Sequence, residues 1–214
     1  MRVSKNYISK TFIFSLWRTA HHGKLFLVKE IINIVHENSK TQSGKNSKNS
    51  PAVINYFLNP GYLFVTEKPT AISTVVGSCV AVCLFDKKRR TGGMNHFQLP
   101  DTYDKTKTTT RYGNVATSML IKIMVEDGSK TKHLHAQIFG GAYNPKISQT
   151  NIGIDNIKIA RKILNKNHIK IVSEDIGGSI GRKIIFNTSS NEIAVLKVEN
   201  IRDADWYPFE KNDR

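Results

Sequence analysis

Cysteine is scarce in this chain of 214 residues: Cys79 and Cys83 are its only two, which excludes a disulfide framework. On one strand, four positions apart, their Cα atoms would stand about 13 Å from each other, too far for a bridge. Two free thiols suit a reducing compartment. Acids are scarce as well, 17 Asp and Glu against 32 Lys and Arg, a net charge of +15. That excess attracts acidic protein faces, nucleic acid or anionic lipid without choosing among them. No apolar run approaches the ~20 residues of a membrane span. The short "TFIFSLW" (Thr11 to Trp17) runs into Arg18 and His21-His22, with no small-residue cleavage site after it. Together these absences predict a cytoplasmic protein without a membrane span. Motifs are missing too: no GxxxxGK[ST] phosphate loop and no HExxH occurs. Two cysteines at this spacing, with scattered histidines, match no common zinc pattern, so no metal is expected. The basic charge comes without an RNP-like, zinc-finger or helix-turn-helix signature, and nucleic acid is not an expected partner.

What is present divides at about residue 50. Residues 1–50 hold nine Lys/Arg and two acids, Glu30 and Glu37. Within them, Leu25, Val28, Ile31, Ile32 and Val35 recur at helical spacing and predict an amphipathic helix over 24–37. The Ser/Asn/Lys-rich stretch over 38–50 has no periodicity and reads as a flexible linker. Residues 51–214 read as one domain, a length that buries one substantial core.

Inside that domain, "GYLFVTEKP" predicts a strand ending at Pro69, and "AISTVVGSCVAVCLFD" predicts strand, tight turn, strand. "KKRR" (Lys87 to Arg90) is a solvated hairpin tip, and "TGGMNHFQLP" is the returning strand, entered through a small-residue turn at Gly92-Gly93. "YGNVATSMLIKIMVEDG" predicts a helix with Val115, Met119, Ile123 and Met124 on one face, stopping at Gly128. "KHLHAQIFGGA" is a strand running into a second double glycine. "NIGIDNIKIARKILNKNH" is a second helix with Ile157, Ala160 and Leu164 inward. Three further strands follow, the last two joined by a polar turn at Asn187 to Asn191. Hairpins mixed with helical crossovers give an α/β domain with a mixed sheet and helices packed on it.

The chemistry concentrates in "VVGSCVAVCLFDKKRRTGGMNHFQLP" (Val75 to Pro100). Cys83, in "VAVCLF", reads as a packed small hydrophobe. Cys79 differs, because it follows Gly77-Ser78 at a strand break, where a sulfur can be exposed beside backbone N–H donors. A thiol is mostly protonated at neutral pH and needs a base in reach. His96 is the geometric favourite: the hairpin returns it toward Cys79. His21, His22 and His36 lie in the extension, His168 at a helix end, and His133 and His135 alternate on one predicted strand. On the residues alone both readings stand, a Cys79–His96 dyad and a merely packed histidine.

"STVVGSCVAVCLFD" followed by "GGMNHFQLP" resembles the CheD family of chemoreceptor glutamine deamidases. "RYGNVATSMLI", "AQIFGGA", "NIGIDNIKIARKIL", "IKIVSEDIGGSIGRKIIFN" and "VLKV" extend the resemblance, in the family's order, over about Asn55 to Val198. The resemblance implies a mixed β-sheet sandwich with helices on one side, a CheD-like cysteine hydrolase fold. It implies hydrolysis of receptor glutamine side chains to glutamate and ammonia in chemotaxis adaptation, without a cofactor. Cys79 is then the nucleophile and His96 the base. The hydroxyl residue that orients the histidine falls on Ser73, six positions before the cysteine; Thr74, five before, is the rival. Gly77 and Ser78 are expected at the turn that holds the oxyanion. Asn95, Gly140 and Gly141 are expected in the substrate cleft, with Gly177-Gly178 as further candidates. Partners implied are the cytoplasmic helices of methyl-accepting chemotaxis receptors and a CheC-type phosphatase. Two other readings remain, a non-catalytic adaptor for those partners and a cysteine amidase acting on another protein.

Overall fold

The computed structural model describes residues 53–198 apart from 105, 107 and 147; the helix expected over 24–37 and the linker over 38–50 lie outside the described residues. β-Branched and aromatic runs form the strands β1 (Ile54–Phe57), β2 (Tyr62–Thr66), β3 (Thr70–Val76), β4 (Val80–Asp86), β5 (Thr91–Phe97), β6 (Leu134–Gly140), β7 (Lys170–Ile176), β8 (Gly181–Asn187) and β9 (Ile193–Val198). They assemble into a four-stranded sheet, β1-β3-β8-β9, and a five-stranded sheet, β2-β5-β4-β6-β7. Each sheet contains one parallel pair, β1 with β3 and β6 with β7; the rest is antiparallel.

Two helices, α1 (Gly113–Glu126) and α2 (Ile152–Lys166), cover one face of the five-stranded sheet. The α/β sandwich with helices on one side is therefore what the chain forms. Neither helix is long and apolar enough to cross a membrane. Asn151 starts α2: its Oδ1 accepts from Ile154 N at 3.2 Å, satisfying one free donor of the first turn. Asp155 in that turn and Lys166 in the last complement the helix dipole. Ile157, Ala160 and Leu164 face inward, as their spacing predicts. In α1 the buried stripe is rotated from the expected one. Ala116, Thr117, Leu120 and Ile121 are buried with Ile123 and Met124, while Val115 and Met119 are only partly covered. The apolar stripe of α1 is broad, and packing against β2 and β5 selects its other edge.

Strand alternation divides the core into two layers. Leu63, Val82, Leu84, Phe97, Ala136 and Ile138 face the helices. Phe64, Ala81, Cys83, Met94 and Phe139 face Ile72, Val76, Ile184 and Phe186 of the other sheet. Each large side chain fully buried there contributes roughly 1.5–3 kcal/mol.

Two local expectations change. Gly92-Gly93 is not a turn but lies inside β5. A Cβ on Gly92 would lie 2.9 Å from Phe186 Cζ, and one on Gly93 would lie 2.8 Å from Phe64 O and 3.0 Å from Leu120 Cδ1. The pair lets both layers close on β5. The turn at Gly77-Ser78 is real, but it does not join hairpin partners: β3 belongs to one sheet and β4 to the other. The hairpin predicted around Asp86 to Thr91 does form, and its register sets Ala81 opposite His96.

Candidate active site

Cys79 stands where the chain passes from one sheet to the other. Three groups hold its turn. Gly141 N donates to Cys79 O and Ala142 N to Gly77 O, both at 2.8 Å. Asn156 Nδ2 donates to Ser78 O at 2.9 Å. Gly140, at φ +107°, must lack a side chain, because a Cβ would collide with Cys79 O. The Cys79 side chain is half-buried and packs on the core between the sheets, whereas Cys83 is enclosed at 1% exposure.

Ala81 lies directly across from His96, so Cys79, two residues earlier, is the diagonal neighbour of the histidine. Diagonal positions on one face stand about 7–8 Å apart between Cα atoms, within reach of a ring. His96 is fully buried. Its Nδ1 is 2.7 Å from Thr74 Oγ1. Thr74, also fully buried, donates its single hydroxyl proton to Leu58 O at 2.8 Å. The hydroxyl therefore accepts from Nδ1–H, which leaves the lone pair of the neutral ring on Nε2. Nε2 is buried and has no hydrogen-bond partner. Buried polar atoms are nearly always paired, so an orphan imidazole nitrogen on the strand face diagonal to Cys79 is an exception.

The preference for Ser73 is corrected by this geometry. Ser73 is on the opposite face of β3 and donates a long bond, 3.4 Å, to Tyr56 O. Thr74 shares the inward face with Ile72 and Val76, and it meets the histidine. Counting from the cysteine fails because the turn after Val76 is irregular, so a fixed separation does not fix a face.

Both groups are neutral at pH 7. Burial pushes the Cys79 thiol up to about 11, against a smaller lowering by its own backbone N–H. Burial pushes His96 down to about 3, opposed by the carbonyl of Leu58. The two side chains rest as thiol and imidazole, the sulfur nearer solvent and the ring fully buried.

The remaining expected residues divide. Gly77 is half-buried and Ser78 exposed, both in the turn that leads to Cys79. Gly140 and Gly141 support that turn from behind. Asn95 is not in a cleft: it is fully buried on the helix-facing side, accepting from Val82 N at 3.0 Å and donating to Thr117 Oγ1 at 3.3 Å. Strand alternation next to His96 carries it to the other face. Gly177 N donates to Gly140 O at 2.8 Å, which places the Gly177-Gly178 loop one step further from Cys79. His133 ends a 3-10 turn while His135 lies on β6, so they do not share a strand face. No group of three or more metal-ligating side chains occurs among the described residues.

Sequence reasoning missed two neighbours. Tyr62 lies directly across from His96 on β2 and is 37% exposed. Asn156 is fully buried on α2 and touches both Ser78 O and Gln98 O. Only strand order reveals Tyr62. The apolar stripe around Asn156 is the one signal that a polar residue there is unusual.

Comparison with known proteins places the chain in a family. Residues 98–197 match the family model described as "CheD chemotactic sensory transduction". A probable chemoreceptor glutamine deamidase CheD of Sulfurimonas denitrificans is 40% identical over 146 residues, 67% of this chain and 94% of the relative. Proteins of the same description from Trichlorobacter lovleyi and Anaeromyxobacter dehalogenans are each 41% identical, over 64% and 61% of this chain and 87% and 77% of their own lengths. Among solved structures, Bacillus licheniformis hypothetical protein YfiH is similar at TM-score 0.36 and 14% identity, over 55% of this chain and 49% of that one. Identity at this level, running along nearly the whole Sulfurimonas relative, settles kinship: the chain belongs to the CheD family.

Proposed function

We propose that this protein hydrolyses glutamine side-chain amides of chemoreceptors to glutamate and ammonia, with Cys79 as nucleophile and His96 as base. The observation that carries the reading is the orphaned Nε2 of His96, fixed as a lone pair by Thr74 and placed diagonal to a half-exposed thiol. The relatives' description as chemoreceptor glutamine deamidases supplies the substrate.

The resting pair is uncharged, so the proton moves as the sulfur attacks. His96 Nε2 takes the proton of Cys79 Sγ while the sulfur bonds to the glutamine amide carbon. Negative charge collects on the amide oxygen, where backbone N–H groups of Gly77 to Cys79 are the donors at hand. The imidazolium returns its proton to the amide nitrogen, ammonia leaves, and a thioester remains on Cys79. Water then attacks the thioester carbon as His96 removes its proton, glutamate is released, and the thiol is restored. No cofactor enters the balance. Tyr62, across from His96, is placed to flank the incoming side chain. Because the receptor segments concerned face the cytoplasm, the protein acts there. A CheC-type phosphatase is the second partner that the family resemblance implies.

The test is a receptor cytoplasmic fragment incubated with wild type and Cys79→Ala in parallel. A mass gain of about 1 Da per converted glutamine, absent with Cys79→Ala, is the expected result. Gain on another protein but not on receptors moves the substrate; tight receptor binding without gain makes the protein an adaptor.

A further inference from the structure

The β4–β5 ladder ends at Val80 opposite Phe97. Beyond that pair no strand pairing ties the Cys79 turn to the His96 strand. Asn156 takes over at this point. Its Nδ2 donates to Ser78 O at 2.9 Å and to Gln98 O at 3.0 Å. Ser78 precedes Cys79, and Gln98 is the second residue after His96. Both protons of the amide nitrogen are used, and the flipped amide would set Oδ1 against two carbonyls, so the network itself assigns this orientation.

Packing alone does not explain the residue. Asn156 is fully buried beside Ala160 and Leu164, and its Oδ1 has no partner. Such an orphan carries a desolvation penalty that an apolar residue would avoid. We propose that Asn156 is a positioning residue: by clamping Ser78 and Gln98 to one point on α2, it sets the separation of Cys79 Sγ from His96 Nε2. The inference rests on the deamidase reading above. Proton transfer needs that separation to reach hydrogen-bond length, and a small misplacement of a reacting group lowers the rate steeply.

The experiment compares the full-length wild type with Asn156→Ala, Asn156→Ser and Leu164→Ala. Leu164 is buried about two turns further along the same helix, so Leu164→Ala serves as the control for a loss of stability. Receptor-fragment deamidation gives kcat and KM; iodoacetamide labelling of the native protein gives the reactivity of Cys79; thermal melting gives stability. Asn156→Ala is expected to lower kcat roughly 10- to 100-fold with KM within about twofold, and to slow Cys79 labelling. Asn156→Ser, which keeps one donor, is expected to fall between, and it is read instead where Asn156→Ala does not fold. Leu164→Ala is expected to melt earlier with kcat retained. The proposal fails if the Asn156 variants keep wild-type kcat, or lose it only as far as Leu164→Ala does at equal melting loss. A wild type that produces no mass gain overturns the deamidase reading instead. The labelling comparison then decides the clamp by itself: equal Cys79 rates in Asn156→Ala and Leu164→Ala reject it.

Discussion

Thr74 Oγ1 and His96 Nδ1 meet at 2.7 Å across the gap between the two sheets. The imidazole is thus oriented from the sheet that does not carry it. The relay runs from Nδ1–H to Oγ1 and from Oγ1–H to Leu58 O. It fixes one ring tautomer inside the layer between the sheets. The same chain that delivers Thr74 on β3 turns at Gly77-Ser78 and delivers Cys79 to the other sheet. One sheet change therefore carries the chain from Thr74, bonded to His96, to Cys79, the diagonal neighbour of the same histidine.

Replacing the hydroxyl separates Thr74 from Ser73. Thr74→Val keeps the shape but leaves Nδ1–H buried and unpaired, at a cost of about 1–3 kcal/mol. It also frees the tautomer, so kcat is expected to fall roughly 10- to 100-fold. Thr74→Ser restores most of it, and Ser73→Ala changes little. Steady-state kinetics of the three variants check this. If Ser73→Ala is the damaging one, the assignment of Thr74 is wrong.

Much of this site is legible in the sequence, and the misses share a cause. The hairpin from Cys79 to Phe97 follows from local pattern, because turn length and alternation set its register. That suffices to put His96 near Cys79 and Cys83 in the core. Which sheet each strand joins is a long-range property, and a strand-turn-strand pattern is the same for a hairpin and for a sheet change. Whether Thr74 meets His96 depends on that choice, whereas Asn95 is turned away by plain alternation next to His96. Asn156 is joined to Ser78 by contacts 78 residues apart in sequence, which no local pattern encodes.

Thiol reactivity distinguishes a neutral pair from a preformed ion pair. With Cys79 raised to about 11, its iodoacetamide labelling is expected to climb roughly tenfold per pH unit from neutrality upward. Cys83, enclosed and raised well above its ordinary value, should label only on unfolding. His96→Ala should slow Cys79 at pH 7. A plateau in Cys79 labelling below pH 8 would mean a standing thiolate, contrary to the neutral pair.

Acid stability reports the buried histidine. Unfolded His96 takes a proton at its ordinary 6.5, and the folded one only at about 3. Between those values the unfolded chain holds more protons, so stability rises with pH there and drains away as pH falls. His135, pushed down by burial and then by Lys87 and Lys170, acts in the same direction. Asp86 and Asp175 are held below 3.8, despite their burial, by hydrogen bonds from Arg89 N and from Lys197 and Arg182, and they matter at lower pH. Denaturant midpoints between about pH 4.5 and 6.5 should therefore fall more steeply for wild type than for His96→Gln. Parallel curves would count against a buried neutral His96.

Glycine substitutions test the wall behind Cys79. Gly140 and Gly177 both have positive φ, +107° and +69°, so alanine strains each backbone. They differ in what a Cβ would meet. At Gly177 nothing lies within 4 Å, and Gly177→Ala should cost only the strain, about 1–2 kcal/mol, with activity retained. At Gly140 a Cβ collides with Cys79 O and lies 3.0 Å from Val76 Cγ2. Relief of that clash must move Cys79 itself, because β6 is held by pairing to β4 and β7. Gly140→Ala should therefore destabilise more than Gly177→Ala and, per folded molecule, lower kcat as well. Melting curves and kinetics measured side by side decide it. Equal loss of stability with kcat intact in both would show that the turn tolerates displacement and that the close approach of Gly140 serves packing alone.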